Sequence, residues 1–292
     1  MMAESKCARL GLGTVQFGQA YGISNRRGRV PAAEVAAILD RAAAAGMRSL
    51  DTAAGYGDAE TVLGSLAERT RPFRVVTKTI ALKNGLDAVV ARARQSVATL
   101  KRRPIDLLLV HAASDLAGPD GDMLWSALLG LRDEGLFRGI GISAYVADDP
   151  VALARRFRPA AMQVPVSLLD QRLIRGGALA AIKDLGVEIH ARSLFLQGLL
   201  FIADDALPPR LQSAAPHLHS LHRRFVEAGT TPLAAALAFA LARPEIDTAV
   251  VGVTQLGELE QILAAAGQPV PALDWDACAL NDEIVLTPSL WG

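Results

Sequence analysis

The 292 residues carry 30 Lys plus Arg against 30 Asp plus Glu, a formal charge of zero, and 51% are hydrophobic, enough for a sizeable core. This balance argues against a strongly basic nucleic-acid binder and against an acidic disordered chain, and the length allows one large domain or two ordinary ones. Only Cys7 and Cys278 are present, near opposite ends, which speaks against a disulfide framework or a cysteine-based metal site and fits a reducing compartment.

Along the chain, a short apolar run is repeatedly followed by a longer Ala/Leu-rich helical pattern. The first predicted strand is Arg9 to Thr14. Pro31 then opens a helix through Glu34, Ile38 and Leu39 to Ala45, where Gly46 supplies a left-handed stop. After a strand at Ser49 to Asp51, Asp58 is placed to cap the helix of Glu60, Val62, Leu63 and Leu66. Strands follow at Arg74 to Lys78 and Ile105 to His111, and Gly135 closes a helix before the strand Arg138 to Ser143. Asp149-Pro150 opens the next helix, then come strands at Ala161 to Val164 and, after a stop at Gly186, Val187 to Ser193. An irregular connection from Phe195 to about Pro216 precedes a helix opened by Thr231-Pro232 and the eighth strand, Thr248 to Gly252.

Eight strands alternating with helices every 36 residues or so imply βαβ units and a parallel sheet. Near-continuous apolar runs such as Ile105 to Val110 are expected where both faces of a strand are covered. Closure into a single-domain (β/α)8 TIM barrel over residues 1–292 is the economical reading. An open doubly wound sheet is the alternative, but Gly11, Gly13 and Gly18 have the wrong spacing for a dinucleotide fingerprint. In a barrel, active sites form where strands end, and the long connection after the seventh strand lies on that face. The stretch Met1 to Leu10 lacks the apolar run of a secretion signal, and Pro232 to Ala242, the longest apolar stretch, is about half of the roughly 20 residues needed to cross a bilayer. The expectation is a soluble, cytoplasmic protein that binds neither nucleic acid nor membrane.

Asp51, Lys78 and His111 end the second, third and fourth strands, and Tyr56 lies in the loop Ala54-Gly55-Tyr56-Gly57. Together they make a proton-transfer set: an ammonium beside a phenol favours the phenolate, a carboxylate can orient the ammonium, and an imidazole can donate to a substrate oxygen. A carbonyl that becomes an alkoxide suits such a site. Taken singly, each residue has a plainer use as a cap, surface lysine, packed ring or satisfied histidine. His217, His219 and His222 sit on different faces of a helix with no carboxylate close by, so metal binding is not expected.

The stretch from Gly46 through Asp51 and Tyr56-Gly57 to Glu60 and Leu63-Gly64 resembles the signature of the aldo-keto reductase superfamily. The order Asp51, Tyr56, Lys78, His111 is similar to that family's catalytic tetrad, and Gly11 to Thr14, Ile105 to His111, Gly139 to Ser143, Gln163 and Ser193 to Leu200 extend the likeness over nearly the whole chain. The resemblance implies an NAD(P)H-dependent reductase of an aldehyde, ketone or sugar, a monomer or weak homo-oligomer, with Tyr56 as general acid. It places Gly13, Thr14 and Asp51 along the nicotinamide ribose, and Ser143 and Gln163 on the carboxamide. It runs Ser193, Leu194, Gln197 and Gly198 along the pyrophosphate, and sets Gly252, Thr254, Gln255 and Glu258 at the adenosine end. Three positions depart from the family: Ala144 replaces an Asn, Arg192 replaces the aromatic ring that stacks on nicotinamide, and Glu258 stands where a 2′-phosphate is usually read. A guanidinium plane can still stack on a ring.

The family default is NADP(H). However, no Lys or Arg follows Arg243, so the last 49 residues carry −8 and the first 243 carry +8, which moves the expectation toward NAD(H). Two rival functions share this scaffold: a cofactor-binding regulatory module with little turnover, like the β subunits of potassium channels, and a Schiff-base aldolase using Lys78. The intact tetrad residues and the Asp51-to-Tyr56 context speak for reduction.

Overall fold

The computed structural model describes residues 6–202 and 206–291. Eight strands form a closed barrel in sequence order: β1 (Leu10–Gly13), β2 (Ser49–Asp51), β3 (Arg74–Lys78), β4 (Ile105–Val110), β5 (Phe137–Ser143), β6 (Ala161–Pro165), β7 (Glu188–Arg192) and β8 (Thr248–Gly252). Every neighbouring pair is parallel, including the closing pair β1 and β8, in which Gly13 stands opposite Gly252. The expected (β/α)8 architecture is therefore present, and the strand limits differ from the sequence reading by at most one or two residues.

The outer ring includes α1 (Ala32–Ala44), α2 (Ala59–Ser65), α3 (Leu86–Thr99), α4 (Gly121–Asp133), α5 (Pro150–Phe157), α6 (Ala178–Lys183), α7 (Ala215–Glu227), α8 (Pro232–Leu241) and α9 (Leu256–Ala266). The helix starts at Asp149-Pro150 and Thr231-Pro232 form as expected: Asp149 Oδ1 accepts from Ala152 N at 3.1 Å and Thr231 Oγ1 from Ala234 N at 3.2 Å. Gly46, Gly135 and Gly186 take the left-handed φ of a helix stop. The expected Asp58 cap does not form. Asp58 precedes α2, but its carboxylate instead meets Arg29 Nη1 at 2.6 Å, so a tertiary partner has displaced the local one.

Alternation along the strands sorts the side chains into two cores. One face of each strand packs on the helices, as with Leu108, Val110, Ile189 and Ala191, all fully buried. The other face fills the barrel, where Val76, Leu107, Leu109 and Ala161 form a separate apolar plug. Polar side chains that face the barrel interior stand at the two ends of its axis. At the carboxyl end they are Asp51, Lys78, Ser143, Gln163 and Arg192. The connection after β7 is less irregular than expected: it contains 3-10 turns at Leu196–Phe201 and Pro209–Ala214, and Pro216 already lies in α7. Its residues 203–205 fall outside the described residues.

Candidate active site

The carboxyl ends of the strands surround a cavity of about 720 Å3. Asp51 and Lys78 emerge side by side from β2 and β3, both buried, with Lys78 Nζ 2.6 Å from Asp51 Oδ1. The ammonium also donates to Thr52 O at 2.9 Å and to Tyr56 Oη at 3.3 Å, so its three protons are all placed. Asp51 Oδ2 accepts from Gln163 Nε2 at 2.6 Å. Burial alone would lower the Lys78 pKa, but the Asp51 carboxylate and the Tyr56 hydroxyl outweigh it and hold the lysine above its ordinary range. The site therefore contains a fixed ammonium aimed at a phenol.

Tyr56 is carried by a tight loop pinned at both ends. Ala54 N donates to Lys78 O, Tyr56 N to Ala53 O and Ala59 N to Tyr56 O. Beneath the loop, buried Glu60 accepts from Thr77 Oγ1 at 2.6 Å, Arg92 Nη2 at 2.6 Å and Ser96 Oγ at 3.1 Å, tying α2 to β3 and α3. The His111 ring meets the Tyr56 ring edge-on, with centroids 5.9 Å apart at 80°. Burial, then the Lys78 and Arg192 charges, lowers the His111 pKa to about 4, so the imidazole is neutral at neutral pH and can donate one N–H.

All four residues expected to act together do line one cavity, as do Gly13, Thr14, Ser143, Gln163, Arg192, Ser193, Leu194, Gln197, Gly198, Gly252, Thr254 and Glu258. Gln255 does not: it stands in extended conformation just before α9, outside the cavity lining. Arg192 is not free to present its whole plane to a ligand, because its guanidinium lies 4.1 Å from the Tyr145 ring centroid and donates to Ala144 O at 3.3 Å. Glu258 accepts from Thr254 N at 2.6 Å and Thr254 Oγ1 at 2.9 Å, bracing the loop between β8 and α9. Sequence reading missed Tyr145 and Gln261 as lining residues. Tyr145 alone had a legible signal, an aromatic two positions beyond the end of a strand.

The far part of the cavity has the features of a nucleotide groove. Ser193, Leu196, Gln197 and Gly198 all have positive φ, and three of these are not glycine, so the backbone is held in a conformation seldom adopted without a functional reason. At Gly198 a Cβ would collide with Ser24, which closes the groove from the β1 side. Gln16 Oε1 is buried there with no hydrogen-bond partner, an acceptor that a ligand hydroxyl or amide would satisfy. These residues fit a nicotinamide dinucleotide. No group of His, Cys, Asp and Glu able to hold a metal occurs among the described residues. His217 Nε2 lies 3.0 Å from Cys278 O and His222 Nε2 3.0 Å from Leu200 O, which makes both ties between segments. No helix among the described residues is long and apolar enough to cross a membrane.

A sequence model of the Aldo/keto reductase family matches residues 9–280. The chain is 27% identical over 306 residues to L-galactose dehydrogenase of Arabidopsis thaliana, covering 97% of this chain and 92% of that one. It is 28% identical over 245 residues to aldo-keto reductase AKR2E4 of Bombyx mori, covering 77% of each. Among solved structures, aldo-keto reductase AKR11C1 of Bacillus halodurans in its holo form superposes with a TM-score of 0.74 at 20% identity, over 92% of this chain and 90% of that one, a likeness of fold.

Proposed function

Since the chain belongs to the aldo/keto reductase family, oxidoreductases that act on small-molecule carbonyls with a nicotinamide cofactor, we propose that its barrel, as one domain, reduces an aldehyde, ketone or sugar carbonyl to the alcohol. The observation that carries this reading is the contact of Lys78 Nζ with both Asp51 Oδ1 at 2.6 Å and Tyr56 Oη at 3.3 Å, at the wall of a cavity of about 720 Å3.

When bound, the nicotinamide cofactor would supply a hydride, a proton with its electron pair, to the carbonyl carbon. As that C–H bond forms, the carbonyl π pair moves onto oxygen and takes the proton from Tyr56 Oη, whose O–H bond breaks. The developing phenolate charge is met by the Lys78 ammonium, which Asp51 keeps in place without competing for the Tyr56 proton. His111, neutral, donates to the same substrate oxygen and orients it. Gln163 is held by Asp51 with its carbonyl oxygen left for the carboxamide, beside Ser143. Ser193, Leu194, Gln197 and Gly198 line the cavity, with positive φ at all but Leu194, and would hold the pyrophosphate. Gly13 and Thr14 would hold the nicotinamide ribose, and Gly252 and Thr254 the adenosine end. Gln261 and Glu258 stand there, so that a carboxylate and not a cation of the lining faces that end, which favours NAD(H) over NADP(H).

A sugar is the substrate class we favour, because the plant relative of nearly equal coverage is named for a sugar dehydrogenase and Gln19 and the Tyr21 hydroxyl add polar groups to the lining. The test is oxidation of NADH and NADPH with a panel of aldoses, aldehydes and ketones. Turnover that is lost in Tyr56→Phe supports the reading, and a panel-wide lack of turnover by protein that binds cofactor would count against it.

A further inference from the structure

The carbonyl-reductase assignment, on which this inference rests, fixes where the nicotinamide ring must lie. Hydride has to reach the carbon whose oxygen meets Tyr56, so the ring occupies the end of the cavity where Asp51, Lys78, Tyr56 and His111 converge. The formal charge of that end follows from few groups. Asp51 and Lys78 cancel at 2.6 Å. Tyr21, Tyr56 and Tyr145 are phenols, and His111 is neutral with its pKa near 4. Glu258 belongs to the far end, where it is bonded to Thr254.

What is left over is Arg192. Its guanidinium rests 4.1 Å from the Tyr145 ring centroid, with Ala144 O at 3.3 Å and Ser193 Oγ at 3.4 Å, and it has no carboxylate partner among the described residues. An aromatic face, a carbonyl and a hydroxyl fix the position of a cation without neutralising it. Its field reaches the catalytic end, where it contributes to lowering the His111 pKa and opposes the rise of the Tyr21 pKa. The part of the cavity that receives the nicotinamide thus carries one uncompensated positive charge.

We propose that Arg192 makes the site read the oxidation state of the nicotinamide, binding the neutral dihydronicotinamide form more tightly than the cationic oxidised form. The two forms share their riboses, pyrophosphate and adenine, so every contact along the groove cancels in the comparison. The ring charge does not cancel. At an effective dielectric near 20, a unit charge several ångström away changes affinity by one to two orders of magnitude, and partial exposure to water brings the expected preference to about tenfold. The site thereby favours loading of the reduced cofactor and release of the oxidised one, and the same charge makes hydride donation from the bound ring less favourable by the same factor.

The test is a set of dissociation constants, measured by calorimetry or protein-fluorescence quenching, for the oxidised and reduced forms of whichever dinucleotide the protein binds. Three proteins are compared, the unsubstituted chain, Arg192→Gln and Arg192→Lys, with thermal melting to verify folding. The expected result is a preference of about tenfold for the reduced form in the unsubstituted chain, kept in Arg192→Lys, reduced several-fold in Arg192→Gln, and smaller at high salt. An equal loss of affinity for both forms in Arg192→Gln, or tighter binding of the oxidised form by the unsubstituted chain, overturns the proposal and leaves the reductase reading standing. No binding of either form by the unsubstituted chain overturns both. Should Arg192→Gln fail to fold, the ratio in Arg192→Lys and its salt dependence in the unsubstituted chain decide alone.

Discussion

Gly18 and Tyr56 meet backbone against backbone: a Cβ added to Gly18 would collide with the Tyr56 carbonyl oxygen and stand 2.5 Å from Ala59 N and 2.9 Å from Asp58 N. The loop that carries Tyr56 is therefore seated directly on the end of the short helix Val15–Gly18, and the obstacle is backbone, which cannot swing aside as a side chain would. Gly18→Ala should push the Tyr56 loop away from Lys78 and stretch the 3.3 Å contact. We expect turnover to fall at least tenfold with a lowered melting temperature, because misplacing a proton donor by a fraction of an ångström is costly to rate. Gly130→Ala is the control. It lies in α4 with nothing within 4 Å of an added Cβ, so it should be neutral in rate and stabilise by about 0.5–1 kcal/mol.

Tyr56→Phe separates proton donation from everything else in the cavity. The ring, its edge contact with His111 and the cofactor groove are kept, and only Oη is removed. Carbonyl reduction should drop by about 10²–10⁴, the usual worth of a positioned general acid, while dinucleotide affinity changes less than about threefold. Parallel measurement of turnover and of cofactor binding checks this, and a comparable loss in both would mean that Tyr56 holds the cofactor rather than donating a proton.

The Asp51–Lys78 pair makes a prediction about stability. Both side chains are buried, so removing one leaves the other charged and desolvated without its counter-ion. Lys78→Met should cost about 3–5 kcal/mol, whereas Asp51→Asn combined with Lys78→Met should cost clearly less than the sum of the single changes. Urea melts of the three variants give the coupling directly. A double variant as unstable as the sum would show that the two groups act independently, contrary to their 2.6 Å contact.

How much of this was legible in the sequence depends on range. The strands were legible because apolar runs covered on both faces need no information beyond their own residues, and the helix starts at Asp149 and Thr231 because a cap acts over three positions. Asp58 looked like a cap by the same rule, yet Arg29, 29 positions away, takes its carboxylate. The tetrad positions were legible through family resemblance and strand ends together. The Gly18 contact was not, since nothing local distinguishes a glycine that must admit a distant carbonyl from one that merely ends a turn. Gln255 and Glu258 lie three positions apart, but Gln255 is extended before α9 while Glu258 is in its first turn, and only that change of backbone conformation puts Glu258 in the cavity lining and Gln255 outside it.

Glu60 tests whether the loop's foundation matters as much as its tip. Its carboxylate gathers Thr77, Arg92 and Ser96, and Arg92 also reaches Ala54 O at 3.4 Å, next to the Tyr56 loop. Glu60→Ala leaves a cation and two hydroxyls without their acceptor. A loss of about 3 kcal/mol is expected, the lower end for a broken buried pair because Arg92 keeps some solvent contact. Turnover should fall at temperatures where the variant is still folded, which combined melting and rate measurements can verify.

His111 gives the pH dependence a sign. Burial, with the Lys78 and Arg192 charges, brings its pKa from the ordinary 6.5 down to about 4 in the folded chain. Between these two values the unfolded chain binds more protons than the folded one, so stability rises with pH across that window and is level above it. The contribution of His111 is therefore complete above about pH 6.5 and is lost as the pH falls toward 4. His111→Asn should flatten that part of a plot of urea midpoint against pH. The same group sets the acid limb of turnover. If neutral His111 orients the carbonyl, the rate should stay level down to about pH 5 and decline near 4, and in Arg192→Gln the decline should move to higher pH because one of the charges opposing protonation is gone. A limb that stays at 6.5 in the unsubstituted protein would mean that His111 is exposed to water during turnover.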